Sequence, residues 1–255
     1  PQPQSNLLTY KDFEVDYRVA STADERKSLI DLLKQCSEFA FDTETTGLDP
    51  ILSTLVGISI AINPRQAWWI PIPANRDEAQ LVVEEFKEIF ENPEIDKIGQ
   101  NVKFDLQMLL NYGITIKGKL YDTMLAHYLL EPDSRHNLDL LAENLLGYKT
   151  ISIEELIGKK GASQINMRAV PLEKIKDYAC EDADIALQLK LILFPRLENQ
   201  GLTELYFQLE EPLIEVLAHI ERNGVSLDSN SLNEYGKVLN ADLIKLDEEI
   251  KTLAG

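Results

Sequence analysis

The chain has 255 residues, 44% of them hydrophobic and 27% charged, which fits one large globular domain or a domain with a smaller attachment. No apolar run reaches membrane-spanning length and no signal-peptide pattern opens the chain. Two cysteines (Cys36, Cys180) and three histidines (His127, His136, His219) support neither a disulfide framework nor a thiolate or imidazole metal site, and a reducing, cytoplasmic setting is expected. The formal net charge of −18 opposes tight binding of long duplex nucleic acid. It leaves room for a short-range contact with a strand end, or for a partner domain that supplies the grip.

In chain order, PQPQSN (1–6) reads as linker. Leu29, Ile30, Leu32 and Leu33 predict a helix over 23–36, and 39–41 a short buried strand ending at Asp42. LVGISIAI (55–62) and QAWWI (66–70) predict a hairpin closed by NPR, with Trp68 and Trp69 packing its two sides. A helix is expected over 78–90 and a strand over 97–99. A helix over 102–111 is expected to be capped by Asn101, and helices over 123–130 and 138–146 by Asp122 and Asn137. The segment 148–168 is weakly patterned. A helix follows Pro171 and runs to about Phe194, before Pro195. From about 203 the chain is charged and helical, through 210–225 and from about Ser231. Strand-rich first half and helical second half imply an α/β domain, a mixed sheet covered by helices, with a C-terminal helical extension. The expected division is 1–20 as an N-terminal extension, 21–202 as the main domain and 203–255 as the extension. With no initiator Met and a final helical pattern that simply stops, the chain is expected to be a piece of something longer.

Three separated segments carry the chemistry. In FDTETTGL (41–48), Asp42 and Glu44 are two apart, so a strand places them on one side, where they repel unless a cation or protons intervene. In GQNVKFDLQML (99–109), Asp105 follows Gln100 and Asn101 at a helix start that favours an anion. In YACEDADIAL (178–187), Tyr178 and Asp182 share a helix face, which Glu181 and Asp184 do not. Each segment alone also fits a solvated acidic surface. Brought together, they would form an all-oxygen cage for hard divalent cations, as phosphodiester hydrolysis by two metal ions requires. His136 beside Arg135 and the Lys159-Lys160-Gly161 loop read more simply as surface.

Order, spacing and flanking residues together resemble the DEDD superfamily of 3′→5′ exonucleases, in its tyrosine-containing branch. Within it, FAFDTET, LVGISIAI, KIGQNVKFD, YDTMLAHYLLEPDSRHNLDLLAE, YACEDADIALQL and IERNGVSLD resemble the proofreading domains of bacterial DNA polymerases I. The resemblance implies an RNase H-like fold. It implies that Asp42, Glu44 and Asp182 hold a first metal, that Asp42 bridges to a second supported by Asp105 through water, and that Tyr178 positions the attacking water. Mg²⁺, with Mn²⁺ as substitute, would serve. Leu48 matches a residue that wedges against the terminal base; Thr45, Gln100, Asn101, Phe104 and Arg135 match positions near the bound strand end. Phe104 stands where relatives often have Tyr, and Ile153 near the place of a stacking aromatic; both departures concern strand affinity. The implied partners are a single-stranded or frayed DNA 3′ end and a polymerase domain in the same parent chain, with no membrane and a monomeric state. An RNA exonuclease resembling RNase D and a non-catalytic scaffold are the alternatives.

Overall fold

The computed structural model describes residues 7–161 and 164–255, so the linker expected over 1–6 lies outside the described residues. Six strands form one mixed sheet: β1 (Asp16–Val19), β2 (Glu38–Thr45), β3 (Leu55–Asn63), β4 (Gln66–Pro71), β5 (Asp96–Gly99) and β6 (Leu120–Asp122), in the order β1-β4-β3-β2-β5-β6. The β2–β3–β4 meander is antiparallel, while β1 pairs with β4, and β5 with β2 and β6, in parallel. Strand β2 does not stop at Asp42. It continues to Thr45, because residues 40 to 45 all find cross-strand partners on β3, with a register shift between Glu44 and Thr45.

The helices are α1 (Ala23–Leu33), α2 (Arg76–Glu84), α3 (Lys87–Phe90), α4 (Val102–Leu110), α5 (Thr123–Leu130), α6 (Leu138–Leu141), α7 (Ile153–Ile157), α8 (Leu172–Asn199), α9 (Thr203–Leu205), α10 (Glu211–Asn223) and α11 (Ser229–Ala254). The helix expected over 78–90 is broken between α2 and α3, and that over 138–146 becomes α6 followed by a π-helical turn, with no side-chain cap from Asn137. Helix α8 runs through Pro195, four residues beyond it, instead of stopping before it.

Alternation along β2 sets the layers. Phe39 and Phe41 face one core, with Ile58, Ile60, Trp68 and Ile70 and with the helices α1 to α4. Ala40, Ala61, Ala67 and Trp69 face the other, against α8. The small side chains admit α8 close to the sheet, and Gly57 leaves room for the Trp69 ring: a Cβ there would lie 1.9 Å from Cη2 of Trp69. The two tryptophans thus pack opposite faces, both buried. A third cluster joins α5, α6 and Tyr206 to the C-terminal half of α8, so that this helix is enclosed on most sides. The chain divides into two compact units between Arg222 and Asn223. The second contains α11, opened by Asp228, whose carboxylate accepts from the amides of Asn230 and Ser231.

Candidate active site

Asp42 and Glu44 project from β2 on the α8 side, one strand repeat apart, opposite Ser59 and Gly57 of β3. Asp182, one turn after Tyr178 on α8, meets them there. One carboxylate oxygen from each of Asp42, Glu44 and Asp182 lies within 4.8 Å of the others. Three acids at this spacing, partly or wholly withdrawn from water, oppose one another's ionisation. Burial pushes Asp42 up to about 6, and pushes Glu44 well above the usual carboxylate range, where Asp42 and Asp105 push it further. Asp182 rises for the same reasons: burial first, then the charges of Asp42 and Glu44. Burial and the same carboxylates hold the Tyr178 phenol far above its ordinary range, so it stays protonated and able to donate.

Asp105 reaches the site from the other side of β2. Helix α4 packs on the Phe39/Phe41 face, and Asp105, 2% exposed, accepts at one oxygen, Oδ1, from the Thr43 amide (3.0 Å) and the Thr43 hydroxyl (2.5 Å). Burial and then Asp42 push its carboxyl well up, while the Thr43 bonds act in the opposite sense. The four acids expected from the sequence therefore converge as three plus one.

The start of α4 departs from expectation in its cap. Asn101 adopts a left-handed conformation (φ 60°, ψ 46°), which Asn tolerates better than most residues, and makes no side-chain cap. The buried Asp122 carboxylate caps instead, accepting from the amides of Asn101 and Val102, and also caps α5 through Met124 and Leu125 as expected. One carboxylate serves two helix starts because β6 delivers it between them. Gln100 is engaged within the protein: its amide nitrogen donates to the His136 carbonyl (2.6 Å), and its oxygen accepts from the Thr123 hydroxyl. The His136 ring is not simply at the surface; its Nδ1 pairs with that of His127 at 2.7 Å.

Leu48 is 93% exposed, and Arg135 and Asn101 are also exposed. Thr45 ends β2, its hydroxyl donating to the Gly47 carbonyl. Phe104 is partly buried against the core, and Ile153, which opens α7, is exposed.

Glu181 and Asp184 do not share the face of Tyr178, yet the expectation that the three acids of this segment cannot all point inward fails. Both are buried, since α8 is enclosed by the sheet on one side and by the segment 148–151 and β1 on others. Glu181 accepts from the Tyr148 hydroxyl and the Ile151 amide, both at 2.6 Å, and Asp184 from the Tyr17 hydroxyl (2.7 Å) and the Arg65 amide (2.8 Å). These acids anchor the surroundings of α8, while Asp182 between them joins Asp42 and Glu44. The spacing from Tyr178 singles out Asp182, but nothing in the residue pattern announces that Glu181 and Asp184 are buried too, because a helix enclosed on most sides has little polar face to read.

A cluster of acids on a mixed, RNase H-like sheet with helices on both faces defines a nuclease-type domain. Comparison with known proteins agrees. Residues 17–198 match the 3′-5′ exonuclease family. The chain is 35% identical over 253 residues to DNA polymerase I of Pseudomonas aeruginosa, 37% over 257 to that of Borreliella burgdorferi and 39% over 234 to that of Chloroflexus aurantiacus. These matches cover 95%, 98% and 89% of this chain but only 28%, 28% and 24% of the relatives, so the chain spans about a quarter of their length. Among solved structures it resembles Brucella melitensis NrnC (25% identity, TM-score 0.60, covering 80% of this chain and 90% of the other). It also shares its fold with the polymerase domain of Pol1 from M. smegmatis in complex with DNA primer-template and dNTP (19% identity, TM-score 0.66, covering 85% and 34%). The chain belongs to the 3′-5′ exonuclease family, in the form found in bacterial DNA polymerases I.

Proposed function

We propose that this domain removes nucleotides one at a time from a DNA 3′ end with two divalent metal ions, releasing nucleoside 5′-monophosphates. The observation that carries this reading is the convergence of Asp42, Glu44 and Asp182 within 4.8 Å. The donor set fits hard cations. All three donors are carboxylates, and the charges that act most strongly on Glu44 and Asp182 are those of neighbouring acids, so a bound cation would relieve the repulsion. Asp42, Glu44 and Asp182 would hold a first ion, and Asp42 with Asp105, through water, a second; Mg²⁺ suits such a site and Mn²⁺ can replace it. When bound, such ions supply an activated water and neutralise charge at the phosphate.

The chain's own residues do the rest. Tyr178, protonated and beside Asp182, orients the attacking water. Leu48, exposed next to the site, offers an apolar edge for the terminal base, with Thr45, Gln100, Asn101, Phe104 and Arg135 lining the approach of the strand. Gln100 would do so indirectly, by holding the loop that carries Arg135. Chemistry at the terminal phosphate of a paired end would first require unpairing it, which costs least for an unpaired or mismatched end, so single-stranded or mismatched 3′ ends are the substrate and proofreading the use. The kinship with DNA polymerases supports DNA over RNA. It also supports a division into an exonuclease domain over 21–202 and the start of a polymerase region from 203, within a monomeric, cytoplasmic parent enzyme. No helix among the described residues is long and apolar enough to cross a membrane.

The test is nucleotide release from end-labelled single-stranded DNA, with matched RNA alongside, in Mg²⁺, Mn²⁺ or chelator. Release is expected with either ion, on DNA, and lost in Asp42→Ala plus Glu44→Ala. Activity surviving that double change sinks the site assignment, and preference for RNA sinks the substrate.

A further inference from the structure

Thr43 lies between the two acids of β2 and takes no part in the chemistry above. Its side chain points the opposite way, towards α4, because alternate residues of a strand face opposite sides. There it is 7% exposed and gives both of its donors, amide and hydroxyl, to a single oxygen of Asp105. Two donors on one oxygen, 62 residues apart in sequence, form a specific clamp. Asp105 needs one more than its partners do. Asp42 and Glu44 are held by the β2–β3 ladder and Asp182 by a buried helix, whereas Asp105 approaches from the other core and stands outside the three-carboxylate group. With Oδ1 occupied by two donors, the side-chain rotamer is set and Oδ2 is the oxygen left for another partner.

We infer that Thr43 is a positioning residue for the exonuclease reaction, locking Asp105 so that its second oxygen is presented to the divalent-ion site. This rests on the function proposed above. It differs from a merely structural role because the effect of Thr43 must run through Asp105. A partner that orients a ligand from outside typically contributes roughly 10- to 100-fold in metal affinity or activity. Thr43→Val removes the hydroxyl and keeps the amide and the shape, whereas Thr43→Ser keeps both donors.

The experiment has two readouts on the whole chain. One is kcat and KM on single-stranded DNA; the other is calorimetric titration of the metal-free protein with Mn²⁺. Thr43→Val is expected to lower kcat about 10-fold or more with little change in KM and to weaken the Mn²⁺ isotherm, while Thr43→Ser stays near wild type. In an Asp105→Ala background, Thr43→Val should cost nothing further in either readout. Equal losses with and without Asp105, or a Thr43→Val enzyme with wild-type kcat and Mn²⁺ binding, overturn the inference. If Thr43→Val does not fold, Thr43→Ala enters the same cycle; if neither folds, Thr43 is a stability residue and the inference is wrong. An inactive wild type, or activity that survives loss of Asp42 and Glu44, would overturn the proposed function instead.

Discussion

Replacing Asp42 by Asn should stabilise the metal-free protein, by a margin that grows from about pH 4 to about pH 6 and is level above that. Burial raises the Asp42 carboxyl from 3.8 to about 6. The native state thus holds this proton more tightly than the unfolded chain does. The group's contribution to stability is present in full below about pH 4 and is lost as pH rises through about 6. A shift of about two units corresponds to about 3 kcal/mol of destabilisation once the group is charged. That value is a ceiling for the gain on substitution, since Asn keeps the polar bulk and brings an amide to be satisfied. For a chain of this size the ceiling corresponds to a rise in Tm of roughly 6 to 12 °C. The assay is thermal unfolding followed by circular dichroism in chelator, for wild type and Asp42→Asn, from about pH 4 to about pH 8.5. The gap should open up to about pH 6 and then stay level. In the same series Mg²⁺ should raise the wild-type Tm at about pH 8, hardly at about pH 5, and do little for the variant. A gap that stays constant across the range, or a variant less stable than wild type at high pH, would refute the picture of an Asp42 carboxyl whose ionisation is opposed by burial.

Other perturbations test the scaffold. Gly57→Ala forces a methyl into the buried Trp69 ring and should cost about 1 to 3 kcal/mol or more in urea unfolding, because the ring cannot retreat. Tyr148→Phe removes one of the two bonds received by the buried Glu181 carboxylate; a loss of about 1 to 3 kcal/mol is expected, with intact activity if Glu181 only anchors the 148–151 segment. Tyr178→Phe should leave stability unchanged and reduce kcat on single-stranded DNA by roughly 10- to 100-fold, with Mn²⁺ binding preserved; a loss of Mn²⁺ binding would show the phenol to be part of the cage.

How much the residues reveal depends on which physical signal each one carries. The hairpin of β3 and β4 stands out because two apolar runs flank NPR, and Asp42, Glu44, Tyr178 and Asp182 stand out because period two and period four survive in any context. Strands β1 and β6 are too short to show a period and sit at the two edges of the sheet, held by parallel pairing that leaves no turn signature. Pro195 suggests a break that tertiary packing of Leu193 and Leu197 overrides. Asp122 is legible as the cap of α5, yet its second task at α4 depends on a contact across 20 residues that no local pattern announces. The separation of Asp105 from the other acids is hidden for the same reason. Asp105 sits on a helix whose neighbouring core face is visible only once Phe39 and Phe41 are known to point that way.

The eight-residue strand β2 carries aromatic packing on its odd positions and reactive acids on its even ones. A single inserted or deleted codon inside it would exchange the two sets, sending carboxylates into the aromatic layer and phenyl rings to the side facing α8. Substitutions along this stretch can therefore be tried one position at a time, but its length cannot drift. Across relatives, length variation should fall in the connections, while the count of residues from Phe39 to Glu44 stays fixed even where the residues themselves change.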